Sequence, residues 1–245
     1  MAKFGKWIGG GLGWAFGGPI GALIGYAVGS MLDSAGRVEY DTYTQQARPR
    51  QTTAGDFGVS LLVLSAAVMK ADGKVLKSEL AYVKQFFERQ FGKRSSAEHM
   101  LLFKEILKQD VDVAKVCMQI RNNIDISSRL QLLHYLFGIA KADGHVDMAE
   151  VDLIEKIAGY LNIGRGEFVS IKAMFFKNSN TAYKILDLDP KATDAELKKA
   201  YRKMAVKYHP DKLGHLGDDF KKASKEKFLK VKEAYETIKK ERGIN

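Results

Sequence analysis

The chain has 245 residues, room for one or two globular domains with accessory segments, and its 46% apolar and 28% charged residues are ordinary for a folded protein. Its single cysteine, Cys117, excludes an intramolecular disulfide and any cysteine-cluster zinc site. The net charge of +10 leans toward the C-terminus, where positions 180–245 hold 17 Lys and Arg against 11 Asp and Glu. Such a basic module suits nucleic acid, an anionic membrane or an acidic protein surface, and charge alone does not choose among them.

The first predicted element is the glycine-rich segment 1–33. No charged residue stands between Lys6 and Asp33, and the 26 positions from Trp7 to Leu32 would make a helix of about 39 Å, enough to cross a ~30 Å hydrocarbon core with tilt. Pro19, following Gly17 and Gly18, removes a helical hydrogen bond, so a helical hairpin turning at this point is the alternative to a single span. Gly5, Gly9, Gly13, Gly17, Gly21, Gly25 and Gly29 recur every fourth residue and fall close together on one helix face. A face without side chains is a shallow groove for a second helix packed backbone to backbone, which predicts a homodimer formed in membrane lipid. Positions 34–55 are polar, lack sustained periodicity and read as a linker.

The second element, 56–177, is helical by pattern and repeats itself. "MKADGKVLKSEL" at 69–80 matches "AKADGHVDMAEV" at 140–151, which implies pseudo-symmetric helical hairpins within one bundle. The repeated Asp-Gly-x-Val-x-x-x-Glu fits part of a calcium-binding EF-hand loop. The loop positions that should supply the first oxygen ligands are instead Val68 and Lys70, then Ile139 and Lys141. An aliphatic side chain offers no ligand and a lysine repels the cation, so Asp-Gly reads as a turn between helices, with Asp147 and Glu150 spaced to start the next one. No metal site is expected, and His99 and His134 carry no assigned role.

The third element, 180–245, is predicted as a helical hairpin. Tyr183, Leu186 and Leu188 anchor a short first helix; Thr193 and Glu196 have the spacing of a capping box. Leu197, Tyr201, Met204 and Tyr208 then form one apolar stripe, while Lys198, Lys199, Arg202, Lys203 and Lys207 occupy other faces. Pro210 disfavours helical geometry at His209, and a second helix follows with Phe228, Val231, Ala234, Tyr235 and Ile238 on one stripe. Packed antiparallel, the pair presents His209, Pro210 and Asp211 at its tip.

Family resemblances follow from these motifs. The paired "KADG" turns resemble the TerB-like helical domain, which implies an all-α bundle with a binding or regulatory role. "AYKILDL", "LKKAYRKMAVKYHPDK" and "FLKVKEAYETI" resemble, in order and spacing, the J-domain of DnaJ-type co-chaperones. That resemblance implies docking on a DnaK-type chaperone and stimulation of its ATP hydrolysis. His209, Pro210 and Asp211 would be the trigger, and Lys198, Lys199, Arg202, Lys203 and Lys207 the docking face. The short last helix of many J-domains is not expected here, and the glycine/phenylalanine-rich linker and cysteine repeats of general DnaJ proteins are missing.

The order of parts is similar to that of the DjlA family of bacterial membrane-anchored co-chaperones. The resemblance implies an all-α protein at the bacterial inner membrane, with its C-terminal domains in the cytoplasm where ATP and the partner are. Lys3 and Lys6 on one side of the apolar run and Arg37, Arg48 and Arg50 on the other barely separate the two orientations. There is no phosphate loop and no nucleophile–base arrangement, so no catalytic residue, cofactor or nucleic-acid partner is expected, and the chain would activate its partner's ATPase without having one. The alternative is an envelope scaffold or sensor whose TerB-like domain binds a ligand or partner and uses the J-domain for recruitment.

Overall fold

The computed structural model describes residues 18–29, 54–145, 147–176, 180–209, 211 and 218–244. Among them every regular element is helical, as the apolar periodicity predicts. In chain order these are α1 (18–29), α2 (Ala54–Met69), α3 (Lys77–Ile106), α4 (Val113–Asn123) and α5 (Ile126–Ala140), followed by α6 (Met148–Tyr160), α7 (Arg165–Ala173), α8 (Thr181–Ile185), α9 (Asp194–Lys207) and α10 (Asp218–Glu241). The chain divides into two compact units at Ile124 and Asp125, within the segment that the sequence reads as one domain.

In the first unit α2 is buried almost all round, with Leu61, Leu62, Val63, Leu64, Val68 and Met69 closed to solvent, and it packs on α3 and α4. α3 bends at Gly92, whose φ of 78° is a left-handed conformation that glycine adopts without steric cost. Phe87 and Phe91 in its first arm pack against His99 in its second, at ring separations of 5.1 and 5.0 Å. His99 also hydrogen-bonds through Nδ1 to the Ser95 carbonyl at 2.7 Å, so its role is internal packing. Cys117 is closed to solvent on α4, and burial pushes its thiol up to about 12, which leaves it a small hydrophobe.

α1 carries Gly21, Gly25 and Gly29; Gly5, Gly9, Gly13 and Gly17 lie outside the described residues. The Ile20 amide donates to Gln119 Oε1 at 2.9 Å, and Gln109 Nε2 donates to the Leu23 carbonyl at 3.3 Å. Two glutamines of this unit therefore satisfy backbone groups of the glycine-rich helix. Among the described residues no helix is long and apolar enough to cross a membrane.

The two "KADG" turns share one construction, each within its own unit. Gly73 and Gly144 have φ of 81° and 86°, and Asp72 and Asp143 accept the amides of Lys74 and His145 at 2.8 and 2.9 Å. Lys70 Nζ donates to the Gln109 carbonyl at 2.8 Å, just past the end of α3, and Lys141 Nζ donates to the Phe175 carbonyl just past α7. Both lysines thus tie their turn to the carbonyls of the chain just past the C-terminal end of another helix. Glu79 accepts the Leu76 amide at 2.8 Å, and Asp147 caps α6 by accepting the Ala149 amide at 2.7 Å. Val146 lies outside the described residues. The repeat is explained by turn and helix-end chemistry. Replacing Asp72 and Asp143 with Ala is expected to cost about 1 kcal/mol at each turn, the size of a lost side-chain cap. Micromolar calcium should leave the melting midpoint of the parent chain unchanged, and thermal melts with and without calcium check both points.

In the second unit α5 is the central helix, with Leu132, Leu133, Leu136, Phe137 and Ile139 closed to solvent. It packs on α6 and α7; α8 lies between α7 and α10, and α10 packs on α9. His134 stands over Phe175 at 4.5 Å. Desolvation first, then the ammonium groups of Lys227 and Lys230, hold its imidazole well below the usual histidine range. The native state therefore keeps His134 neutral at a pH where the unfolded chain takes up a proton. Its contribution to stability is present above the unfolded value of about 6.5 and is lost as pH falls below that value toward the depressed folded one. The thermal midpoint of the full chain should fall between pH 7 and pH 5.5, and His134→Phe should flatten that slope, read by circular dichroism at each pH.

Candidate functional site

The tip of the C-terminal hairpin is built from local signals. Thr193 Oγ1 accepts the Glu196 amide at 3.3 Å and Glu196 Oε2 accepts the Thr193 amide at 2.7 Å, the reciprocal capping box that starts α9. Leu197, Met204 and Tyr208 then point into the hairpin and are 1%, 1% and 3% exposed, against Val231, Ala234 and Ile238 of α10 at 0%, 4% and 0%. Tyr201 stacks on Tyr235 with ring centroids 4.3 Å apart.

The direction of packing is fixed at both ends. Arg242, just past α10, meets Asp194 at the start of α9, at 3.1 Å. At the other end of α9, Ser224 in the first third of α10 donates to the Tyr208 carbonyl at 2.9 Å, and His209 lies edge-on to Phe228 at 6.2 Å. The two helices are therefore antiparallel. Arg242 also donates to the carbonyls of Ala192 at 2.6 Å and Pro190 at 3.0 Å, and its guanidinium lies over the Tyr183 ring at 5.4 Å. It fastens the end of α10 to α8 and to the turn before α9. Sequence reasoning missed this residue, because every partner it holds is roughly fifty positions away in the chain.

His209 and Asp211 are exposed, with side chains 50% and 86% accessible. The Asp211 amide donates to His209 Nδ1 at 3.4 Å, and its carboxylate Oδ2 lies 3.5 Å from the same nitrogen. Pro210 lies outside the described residues. Among the described residues His209 touches Phe228 with one ring edge and Asp211 meets His209, and both side chains stay accessible.

The basic residues predicted for docking divide into two groups. Lys198, Lys199, Arg202 and Lys203 are exposed on α9, with Lys203 4.0 Å from Asp187. Lys207 is different. Its ammonium pairs with Glu167 on α7, and the two side chains are only 18% and 25% exposed. The spacing along α9 makes Lys207 look like the other four, and only tertiary packing separates it from them.

The same face of α7 makes further contacts with the C-terminal module. Ser170 Oγ donates to the Ile185 carbonyl at 2.5 Å. Tyr208 is buried beside Ser170, and burial pushes its phenol above the usual range. Lys230 donates to the Met174 carbonyl at 2.8 Å and lies over the Phe175 ring. Gly166 is bare where a Cβ would collide with the Asp187 carboxylate.

Comparisons with known proteins fall on the same three stretches. Residues 1–49 match the co-chaperone DjlA transmembrane domain, residues 59–173 the tellurite resistance protein TerB, and residues 181–243 the DnaJ domain. The chain is 26% identical to the co-chaperone protein DjlA of Coxiella burnetii across the full length of both. It is 28% identical to that of Vibrio vulnificus, covering 77% of this chain and 79% of the relative. A 56-residue stretch is 46% identical to the chaperone protein DnaJ of Fusobacterium nucleatum, 23% of this chain and 14% of that one. No solved structure matches the chain. The match at the N-terminus makes this a membrane-anchored type of protein.

Proposed function

Because the chain belongs to the DjlA-like J-domain co-chaperones, we propose that it docks on a DnaK-type chaperone through the exposed tip of its C-terminal hairpin and stimulates that partner's ATP hydrolysis. The observation that carries the reading is an exposed Asp211 beside a helix presenting Lys198, Lys199, Arg202 and Lys203 to solvent. The four cations attract an acidic surface over long range, and Asp211 makes a short charge-assisted contact once docked. The two kinds of group act at different stages, the first on encounter and the second on the chemistry of the partner.

In this reading the protein is an activator and not itself an enzyme. Its anchor lies in the bacterial inner membrane, its C-terminal domains are in the cytoplasm, and the glycine face of 1–33 pairs two copies. Steady-state ATP consumption by the full chain alone, by the chaperone alone and by the two together tests it. The expected result is turnover by the mixture well above the sum of the separate rates. Equal rates would remove the co-chaperone function.

A further inference from the structure

Lys207 stands two residues before His209, and its partner Glu167 belongs to the last helix of the region that matches TerB. Glu167 uses both carboxylate oxygens. One accepts the Gly164 amide at 2.6 Å and caps the start of α7, and the other pairs with Lys207. The carboxylate that ends one module's loop therefore also holds the last turn of the helix leading to the tip. Ser170 beside Tyr208, and bare Gly166 against Asp187, extend the same contact along α7.

The tip itself is left uncovered by this arrangement, since His209 and Asp211 are exposed. The contact is a brace beneath the tip. We infer that Glu167 is a positioning residue for the trigger: by pairing with Lys207 it holds the end of α9 against α7. The 59–173 region thereby governs how His209 and Asp211 are offered to the partner chaperone. The inference rests on the co-chaperone reading, and it assigns Lys207 to the brace and not to the docking face.

A double-mutant cycle of Glu167→Gln, Lys207→Gln and the pair tests it in the full chain. Glutamine at 167 can still accept the Gly164 amide, so the α7 cap survives. Two measurements are made: amide hydrogen exchange from Tyr208 to Asp211 without any partner, and single-turnover ATP hydrolysis by a DnaK-type chaperone titrated with each variant. Each single variant should exchange faster at the tip and lower the saturating rate about threefold, the size of a partly exposed ion pair. The half-saturating concentration should stay unchanged, and the double variant should match the singles.

Unaltered exchange in the variants would overturn the brace whatever the hydrolysis assay reads. So would a raised half-saturating concentration for Lys207→Gln alone, which would make Lys207 a direct docking contact. A wild-type chain that fails to stimulate would overturn the co-chaperone reading instead, and the exchange data would still decide whether Glu167 and Lys207 act together.

Discussion

Asp211→Asn is expected to reduce the stimulation of chaperone ATP hydrolysis to the level of the chaperone alone, at every ionic strength tested. The side chain is 86% exposed at the tip and among the described residues meets His209, so the substitution leaves the hairpin core of Leu197, Met204, Val231 and Ile238 intact. It removes one negative charge and keeps the shape. A charge-assisted hydrogen bond is roughly twice as strong as a neutral one, and a contact made only as the partner is activated acts on its rate and not on its affinity. Salt does not restore a missing short-range contact. Single-turnover hydrolysis across ionic strength, with circular dichroism to confirm the fold, checks the expectation; a folded variant that stimulates like wild type would exclude Asp211 as the trigger.

The double reversal Arg202→Glu with Lys203→Glu should behave differently. Both side chains are exposed on α9, and the only described ion pair between them and the rest of the molecule is the 4.0 Å contact of Lys203 with Asp187. In the proposed docking they act by long-range attraction, which falls off beyond a Debye length of about 10 Å at 0.1 M salt. Reversal turns attraction into repulsion. The half-saturating concentration should rise about tenfold at low salt, and the difference from wild type should shrink as salt is added, because rim charges act mainly on association. The saturating rate should be preserved. A salt-independent loss of the saturating rate would place these residues in the trigger instead of the docking face.

Most of the local architecture was legible in the sequence, because its determinants lie within one helical turn of each other. Thr193 and Glu196 announce the start of α9, and the spacing of Leu197, Met204 and Tyr208 announces its buried face. The paired "KADG" stretches announce two equivalent turns, and Asp72 and Asp143 hold them by contacts two residues away. The lysine of each copy was visible as a repeat but not as a helix-end donor, since its carbonyl partner lies 39 or 34 residues on.

What the sequence concealed is long-range in the same sense. Lys207 shares a basic helix with four exposed cations, and its partner Glu167 precedes it by forty positions. Arg242 looks like one more basic residue of a charged tail, yet it gathers two carbonyls from the turn before α9 and the carboxylate of that helix's first residue. The contacts of α1 with Gln119 and Gln109 join groups 99 and 86 residues apart. Composition favours none of these pairings. They follow from which helix faces the fold brings together.

The activity proposed for this chain is acceleration of ATP hydrolysis by a partner chaperone. Its most direct measurement is the rate at which ATP already bound to a DnaK-type chaperone is hydrolysed when full-length protein, held in a lipid bilayer disc, is added in excess. An increase of about tenfold or more, equivalent to lowering the partner's barrier by about 1.4 kcal/mol, is the predicted result. A rate unchanged by saturating amounts of folded wild-type protein would contradict it.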